Sequence, residues 1–283
     1  REGLTPEALA CRTAQRWRQG LADWGQDGAR IRRLRESAEM VLYTPGATFG
    51  RPLSVLRSLA SPGTAAREDA DLLAARVNGA VDGLLTLLGQ RGEPLQSREH
   101  ILLSAILHHA WSQGRDLDLP ALIRLVQTPP FERVGVFDLE TFFGARDRMA
   151  LAMALNALLA APGFAAWMQG DPLDIGRLLH SANGRPRVTI LSIAHLSEAE
   201  RMFFVTLLLN EVLAWVRTQR GTSSLRALLY MDEIAGFFPP TANPPAKPPM
   251  LTLLKQARAY GLGVLLATQN PVDLDYKGLS NAG

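Results

Sequence analysis

The sequence predicts an α/β fold with a large all-helical insertion, on three observations. Residues 184–283 alternate strand, helix, strand, helix, strand, the rhythm of a parallel sheet covered on both faces. Residues 60–183 carry helical periodicity with almost no strand signal. Before that block, "AEMVLYTPG" reads as a short buried strand stopped by Pro45 and Gly46, and supplies a fourth strand. The expected division is 1–59 for the N-terminal part of the core, 60–183 for the insertion and 184–283 for the rest of the core.

Each element has a local reason. Pro6 suits the first turn of a helix running to about Ala22. "ARIRRLRE" continues as a basic helix to about Glu36, and a Gly/Pro-rich stretch follows the first strand. In "AREDADLLAARVNGAVDGLLTLLG" apolar residues recur every three or four positions until Gly89. Ser97 is an N-cap and Gly114 a stop for "SREHILLSAILHHAWSQG". "LDLPALIRLVQT", "DRMALAMALNALLAAP" and "DPLDIGRLLHSANG" give three more helices bounded by Pro and Gly. "RVTILSIAHL" is β-branched and therefore a strand. Ser197 and Glu200 have the spacing of a capping box and open a long apolar helix to about Thr218. "LRALLYM" is the next strand, "PPTANPPAKPP" a loop, "MLTLLKQARAY" a helix stopped by Gly261, and "GVLLATQ" the last strand.

Composition excludes several classes. The 283 residues suffice for one large or two modest domains, and 47% apolar with 20% charged residues is an ordinary globular balance. No apolar run approaches the roughly 18 residues that would suggest a bilayer span, and no signal-peptide layout opens the chain. The chain begins at Arg1 and ends at Gly283 after a polar turn, so an internal piece of a longer protein is expected. The single Cys11 rules out an internal disulfide and fits a cytosolic setting. A net charge of +3 does not establish nucleic-acid binding.

Sheets of this kind bind ligands at the carboxyl ends of their strands. There the sequence puts Asp232-Glu233 after one strand and Thr268-Gln269-Asn270 after another. Those residue types fit an ATPase, which needs a divalent cation, an oriented water and cradled phosphates. Asp232 suits a contact to Mg²⁺ through water. Glu233 can orient or deprotonate the attacking water. Gln269 can hydrogen-bond that water or the γ-phosphate without adding charge, with Thr268 beside it as a further nucleotide contact. Arg258 can neutralise charge on the leaving phosphates. Taken singly, each has a plainer reading: acids that cap a turn, a glutamine that satisfies backbone groups, an ion-paired or solvated arginine.

The phosphate grip itself is missing. A loop of the Walker type needs G-x-x-x-x-G-K-[ST]. Lys247 lies in a proline-rich loop, Lys255 in a helix and Lys277 after Asp275-Tyr276. "GATFGRP" has its glycines one residue too close, Arg51-Pro52 in place of lysine and hydroxyl, and one backbone donor fewer at Pro52. It reads as a turn leading into the insertion.

The stretches "LRALLYMDEIAGFFPP" and "LLKQARAYGLGVLLATQNPVDLDYKGLSNAG" resemble the HerA–FtsK superfamily of P-loop ATPases, most closely HerA-like proteins with a helicase HerA central domain. The family pattern is an apolar strand ending in Asp-Glu, a helix with an arginine before a glycine, and a strand ending in Ala-Thr-Gln. Here these are Asp232-Glu233, Arg258 and Ala267-Thr268-Gln269. The resemblance covers about the last hundred residues and a short piece near Thr44. It implies a partial RecA-like parallel core, ATP and Mg²⁺, a homo-hexameric ring, movement of DNA through it, and room for a partner such as a nuclease. A conjugation or secretion motor is a cousin within the same class, with no membrane segment in this chain to anchor it. A reading from another class is a non-catalytic scaffold whose helical block docks a partner.

Other candidates are weaker. His100, His108 and His109 lack an acid that completes a metal set. His195 lies either near the nucleotide or in a structural hydrogen bond. Asp138, Glu140, Arg146 and Arg148 read as a solvated ion-pair cluster. Arg30, Arg32, Arg33 and Arg35 either touch DNA phosphates or form a solvated face. The lysine census predicts that these 283 residues alone release no phosphate from ATP. Turnover at ordinary enzyme rates in a phosphate-release assay contradicts it.

Overall fold

Helices begin where short polar side chains meet the free N–H groups of a first turn. In the computed structural model, which describes residues 5–55, 59–90, 97–270, 272 and 274–279, Thr5 caps α1 (Pro6–Asp23) and Asp27 caps α2 (Gly28–Ser37). Strands β1 (Glu39–Tyr43) and β2 (Leu53–Ser54) and helix α3 (Thr64–Glu68) follow. Asp69 caps α4 (Ala70–Leu87), Ser97 caps α5 (Arg98–Ser112) and Asp118 caps α6 (Leu119–Gln127). After the hairpin of β3 (Arg133–Val134) and β4 (Phe137–Asp138), Asp138 caps α7 (Leu139–Phe142). Then come α8 (Ala145–Ala160), β5 (Asp171–Pro172), α9 (Ile175–Leu179) and β6 (Arg187–Leu191). Ser197 and Glu200 form the expected capping box of α10 (Glu198–Arg217). The chain continues through β7 (Ala227–Met231), α11 (Lys247–Gln256), β8 (Leu262–Leu266) and α12 (Tyr276–Leu279). Residues 280–283, the tail of the resembling stretch, lie outside the described residues.

The class is α/β, and its strands pair two by two among the described residues: β1 with β6, β2 with β5, β3 with β4, β7 with β8. The β2–β5 and β7–β8 pairs are parallel. The insertion is therefore not purely helical. Two-residue strands are too short to show a period in sequence, and the β3–β4 hairpin turns on Gly135 at φ 60°. "DPLDIGRLLHSANG" yields β5 and then only the short α9.

The chain divides into two compact units. The first holds Arg1–Val41 and Arg177–Ile190. In it, α1 and α2 bury no residue, and Arg187 pairs with Glu39 at 3.0 Å. The second holds Leu42–Gly176 and Leu191–Gly283. Here α4 packs along α10, so helices of the inserted block share a core with the segment after residue 184. Gly79 and Gly83 let the two helices approach: a Cβ on Gly79 would stand 3.0 Å from Asn210 Cβ, and one on Gly83 would stand 3.4 Å from Phe203 Cε2. Leu84, Leu85, Phe203 and Leu207 are buried in this unit, each stabilising it by about 1.5–3 kcal/mol.

The β7–β8 pair runs in register from Ala227 opposite Leu262 to Met231 opposite Leu266. Gly261 sets where it starts. It takes φ 81° after a 3₁₀ turn at Ala257–Tyr260, and its carbonyl accepts from the Arg226 and Ala227 N–H groups at 2.7 and 3.2 Å. A Cβ there would lie 2.6 Å from the Ser224 oxygen. One face of the pair is open: Leu228, Tyr230 and Leu265 are each more than half exposed. Met40, Leu42, Val188 and Ile190 of β1 and β6 are exposed in the same alternating way.

Gly261→Ala is expected to destabilise the chain by roughly 1–3 kcal/mol through the left-handed backbone and the close oxygen. Urea denaturation measures this, and an unchanged midpoint would show that the pairing does not depend on the turn.

Candidate functional site

Parallel strands send both chains out at the same end. Two backbone bonds extend the β7–β8 pairing beyond the strands: the Ala267 N–H donates to the Met231 carbonyl at 2.9 Å, and the Ile234 N–H donates to the Ala267 carbonyl at 3.0 Å. Asp232-Glu233 is thereby clamped beside Thr268-Gln269. Ile234 and Phe238, both fully buried, anchor the turn that follows.

Glu233 has φ 57°, the one non-glycine residue at positive φ among the described residues. Left-handed backbone is unfavourable for a side chain of this kind and is concentrated at functional positions. Its carboxylate Oε1 accepts from the Thr268 hydroxyl at 3.2 Å and from the Ala235 N–H at 3.4 Å. Asp232 is exposed, and its Oδ1 accepts from the Tyr230 hydroxyl at 3.1 Å. That hydrogen bond holds the Tyr230 hydroxyl's pKa above its ordinary value. Gln269 is exposed at the same strand end. The sequence reading missed Tyr230, although its place two residues before Asp232 puts both on one face of an extended strand.

The structure brings Asp232, Glu233, Thr268 and Gln269 together and does not bring Arg258 to them. Arg258 sits in the 3₁₀ turn before Gly261, at the amino end of β8. Five strand residues separate it from the acids' end, a rise of about 15 Å at the usual strand spacing. A helix that feeds a strand ends where the strand begins, so a residue before β8 cannot share an end with residues after it.

No lysine grips this end among the described residues. Lys247 is buried and already engaged: its Nζ lies 2.9 Å from Asp275 Oδ2 and donates to the Pro239 and Ala242 carbonyls at 2.6 and 3.2 Å. Lys255 is exposed on α11, and the Lys277 side chain lies outside the described residues. The glycine-rich stretch at 44–51 is closed on itself. Its ends pair through the Thr44 N–H and the Arg51 carbonyl at 2.9 Å, and the Thr44 hydroxyl donates to the Phe49 carbonyl. His195 Nε2 meets the Pro45 carbonyl at 2.9 Å, with the Phe49 ring edge-on at 5.1 Å. Trp167 occupies the space that a Cβ on Gly46 would take. This is a packed turn, and His195 is part of it.

His100 and Arg148 are held in structural bonds. His100 is buried, with Asp82 3.2 Å from Nε2 and Ser104 3.2 Å from Nδ1. No group of three or more metal-ligating side chains occurs among the described residues. Arg148, expected to be solvated, is buried: it pairs with Glu140 at 2.5 Å and donates to the Phe143 and Gln127 carbonyls. The hydrogen bond from Arg148 holds the Glu140 carboxyl below its ordinary range. A cavity of about 200 Å³ between α4 and α10 is lined by Arg76, Asp174, Glu211 and Trp215. Burial pushes the Glu211 carboxyl up, opposed by Arg76 at 3.2 Å. Among the described residues no helix is long and apolar enough to cross a membrane.

No family model and no curated protein matches the sequence. Solved structures share a likeness of shape. The bacterial conjugative coupling protein TrwBdeltaN70, in an unbound form, is 14% identical with a TM-score of 0.45, over 88% of this chain and 60% of that one. The plasmid coupling protein TrwB with the ATP analogue ADPNP gives 14%, 0.47, 88% and 62%. TrwB with ADP and Mg²⁺ gives 15%, 0.46, 88% and 61%. The chain thus spans about three fifths of those chains. Their names describe them as conjugative or plasmid coupling proteins.

Glu233→Gly removes the strained side chain, so stability is expected to hold or to rise by about 1 kcal/mol while the carboxylate is lost. Thermal denaturation measures this. A fall of several degrees in the midpoint would mean that the left-handed glutamate is not strained.

Proposed function

We propose that this chain is the metal-holding and water-orienting part of an ATP-hydrolysing motor, with the phosphate-gripping loop supplied by sequence outside these 283 residues. The observation that carries the reading is the clamped pair of strand ends, with Asp232-Glu233 on one and Thr268-Gln269 on the other. The residues fit a nucleotide with its cation. Asp232 is exposed and keeps Oδ2 without a partner among the described residues, as a ligand to hydrated Mg²⁺ must. Glu233 and Asp232 take their hydrogen bonds from neutral donors, which leaves both carboxylates able to accept from water. Bound Mg²⁺ would neutralise phosphate charge. Glu233 orients the water and accepts its proton, and Gln269 holds the water or the terminal phosphate as an uncharged donor. Arg258, at the other strand end, is left out of this chemistry.

The motor takes one of two forms. One is a HerA-type DNA translocase or helicase in a hexameric ring, with a nuclease as a possible partner class. The other is a conjugation- or secretion-type motor. The first requires DNA-stimulated turnover with strand separation, and the second requires transport without it. A non-catalytic scaffold is the competing reading, and it is favoured by one observation: Lys247, one of the three lysines of the chain, is buried in structural bonds.

In the intact protein, Glu233→Gln is expected to lower ATP turnover by about a hundredfold or more while nucleotide affinity is retained. Unchanged turnover overturns the motor reading and leaves the scaffold.

A further inference from the structure

We infer that Thr268 is a positioning residue that aims the Glu233 carboxylate, not a contact to nucleotide. The inference rests on the motor reading for its consequence, and on geometry alone for its substance. A glutamate side chain has three free torsions, and here it leaves the backbone from a left-handed position. Something must hold its tip. Among the described residues two donors reach it, both on Oε1: the Thr268 hydroxyl at 3.2 Å and the longer Ala235 N–H at 3.4 Å. Among the described residues Oε2 has no donor, so one oxygen is tethered and the other is open to water.

Thr268 is well suited to the task. It is β-branched, so its hydroxyl has few directions open to it. The bonds through Ala267 fix the separation of the two strand ends. The hydroxyl oxygen also accepts from the Asn270 N–H at 3.3 Å, which closes a tight turn around Gln269. Its proton has a second acceptor within reach, the Asn270 carbonyl at 3.3 Å. The hydroxyl therefore connects two things: the aim of the water-orienting acid and the shape of the turn that presents Gln269. A Thr268 so committed has no donor left for a phosphate while Glu233 is held.

The test uses Thr268→Val, which keeps the shape and removes the hydroxyl, and Thr268→Ser, which keeps the hydroxyl. In this chain with ¹³C-labelled glutamate, the Glu233 carboxyl resonance, assigned by its loss in Glu233→Gln, is expected to shift and broaden in the valine variant. It is expected to return in the serine variant. A resonance unmoved by Thr268→Val overturns the inference. In the intact protein, Thr268→Val is expected to lower kcat roughly ten- to a hundredfold. The KM for ATP and the affinity for a fluorescent ADP analogue stay unchanged, and serine restores kcat. Weaker ADP binding with kcat retained makes Thr268 a nucleotide contact and overturns the inference. If Glu233→Gln turns over like the unmodified protein, the motor reading fails instead, and the carboxyl resonance still decides what Thr268 does.

Discussion

The parallel pairing of β7 and β8 is the constraint on which the site depends. Antiparallel strands would carry Met231 and Leu266 to opposite ends. Parallel strands in register bring them side by side, so both chains leave the sheet together. The pairing then overruns the strands, to Ala267 on one side and Ile234 on the other, through the two bonds made by Ala267. Gly261 fixes the register at the other end, since its carbonyl serves two N–H groups at once. The contact between Glu233 and Thr268 follows from that alignment.

What was legible in the sequence was local. Caps at Ser197 and Ser97, stops at Gly89 and Gly114, and the apolar run of "LRALLYM" each depend on a few neighbouring residues. The pair of strand ends was legible for the same reason, as both carry polar residues directly after an apolar run. Arg258's place at the other strand end was recoverable too, because it precedes β8 and Gln269 follows it. What was not legible was non-local. Burial of Arg148 was not recoverable. Nothing near "GARDRMAL" announces that its guanidinium will meet Glu140 and two carbonyls from other segments. The left-handed Glu233 was equally hidden, because a glutamate there contradicts the ordinary preference for glycine or asparagine.

The absent phosphate grip has a physical as well as a compositional side. A phosphate cradle needs backbone N–H groups that point into open space and a cation free to move toward the ligand. At 44–51 the backbone and hydroxyl bonds turn inward and an indole covers the glycine. Lys247 spends its three donors on two carbonyls and a carboxylate. Neither feature is a damaged cradle; both are finished pieces of ordinary structure.

The open faces of the strand pairs have a consequence for the life of the chain in a cell. Leu228, Tyr230 and Leu265 form a row that a parallel sheet normally hides, and Met40, Val188 and Ile190 form another. Rows of this kind are what holdase chaperones and quality-control proteases recognise, and what drives strands of separate molecules together at high concentration. Covering those rows would remove that hazard, independently of any chemistry at Glu233.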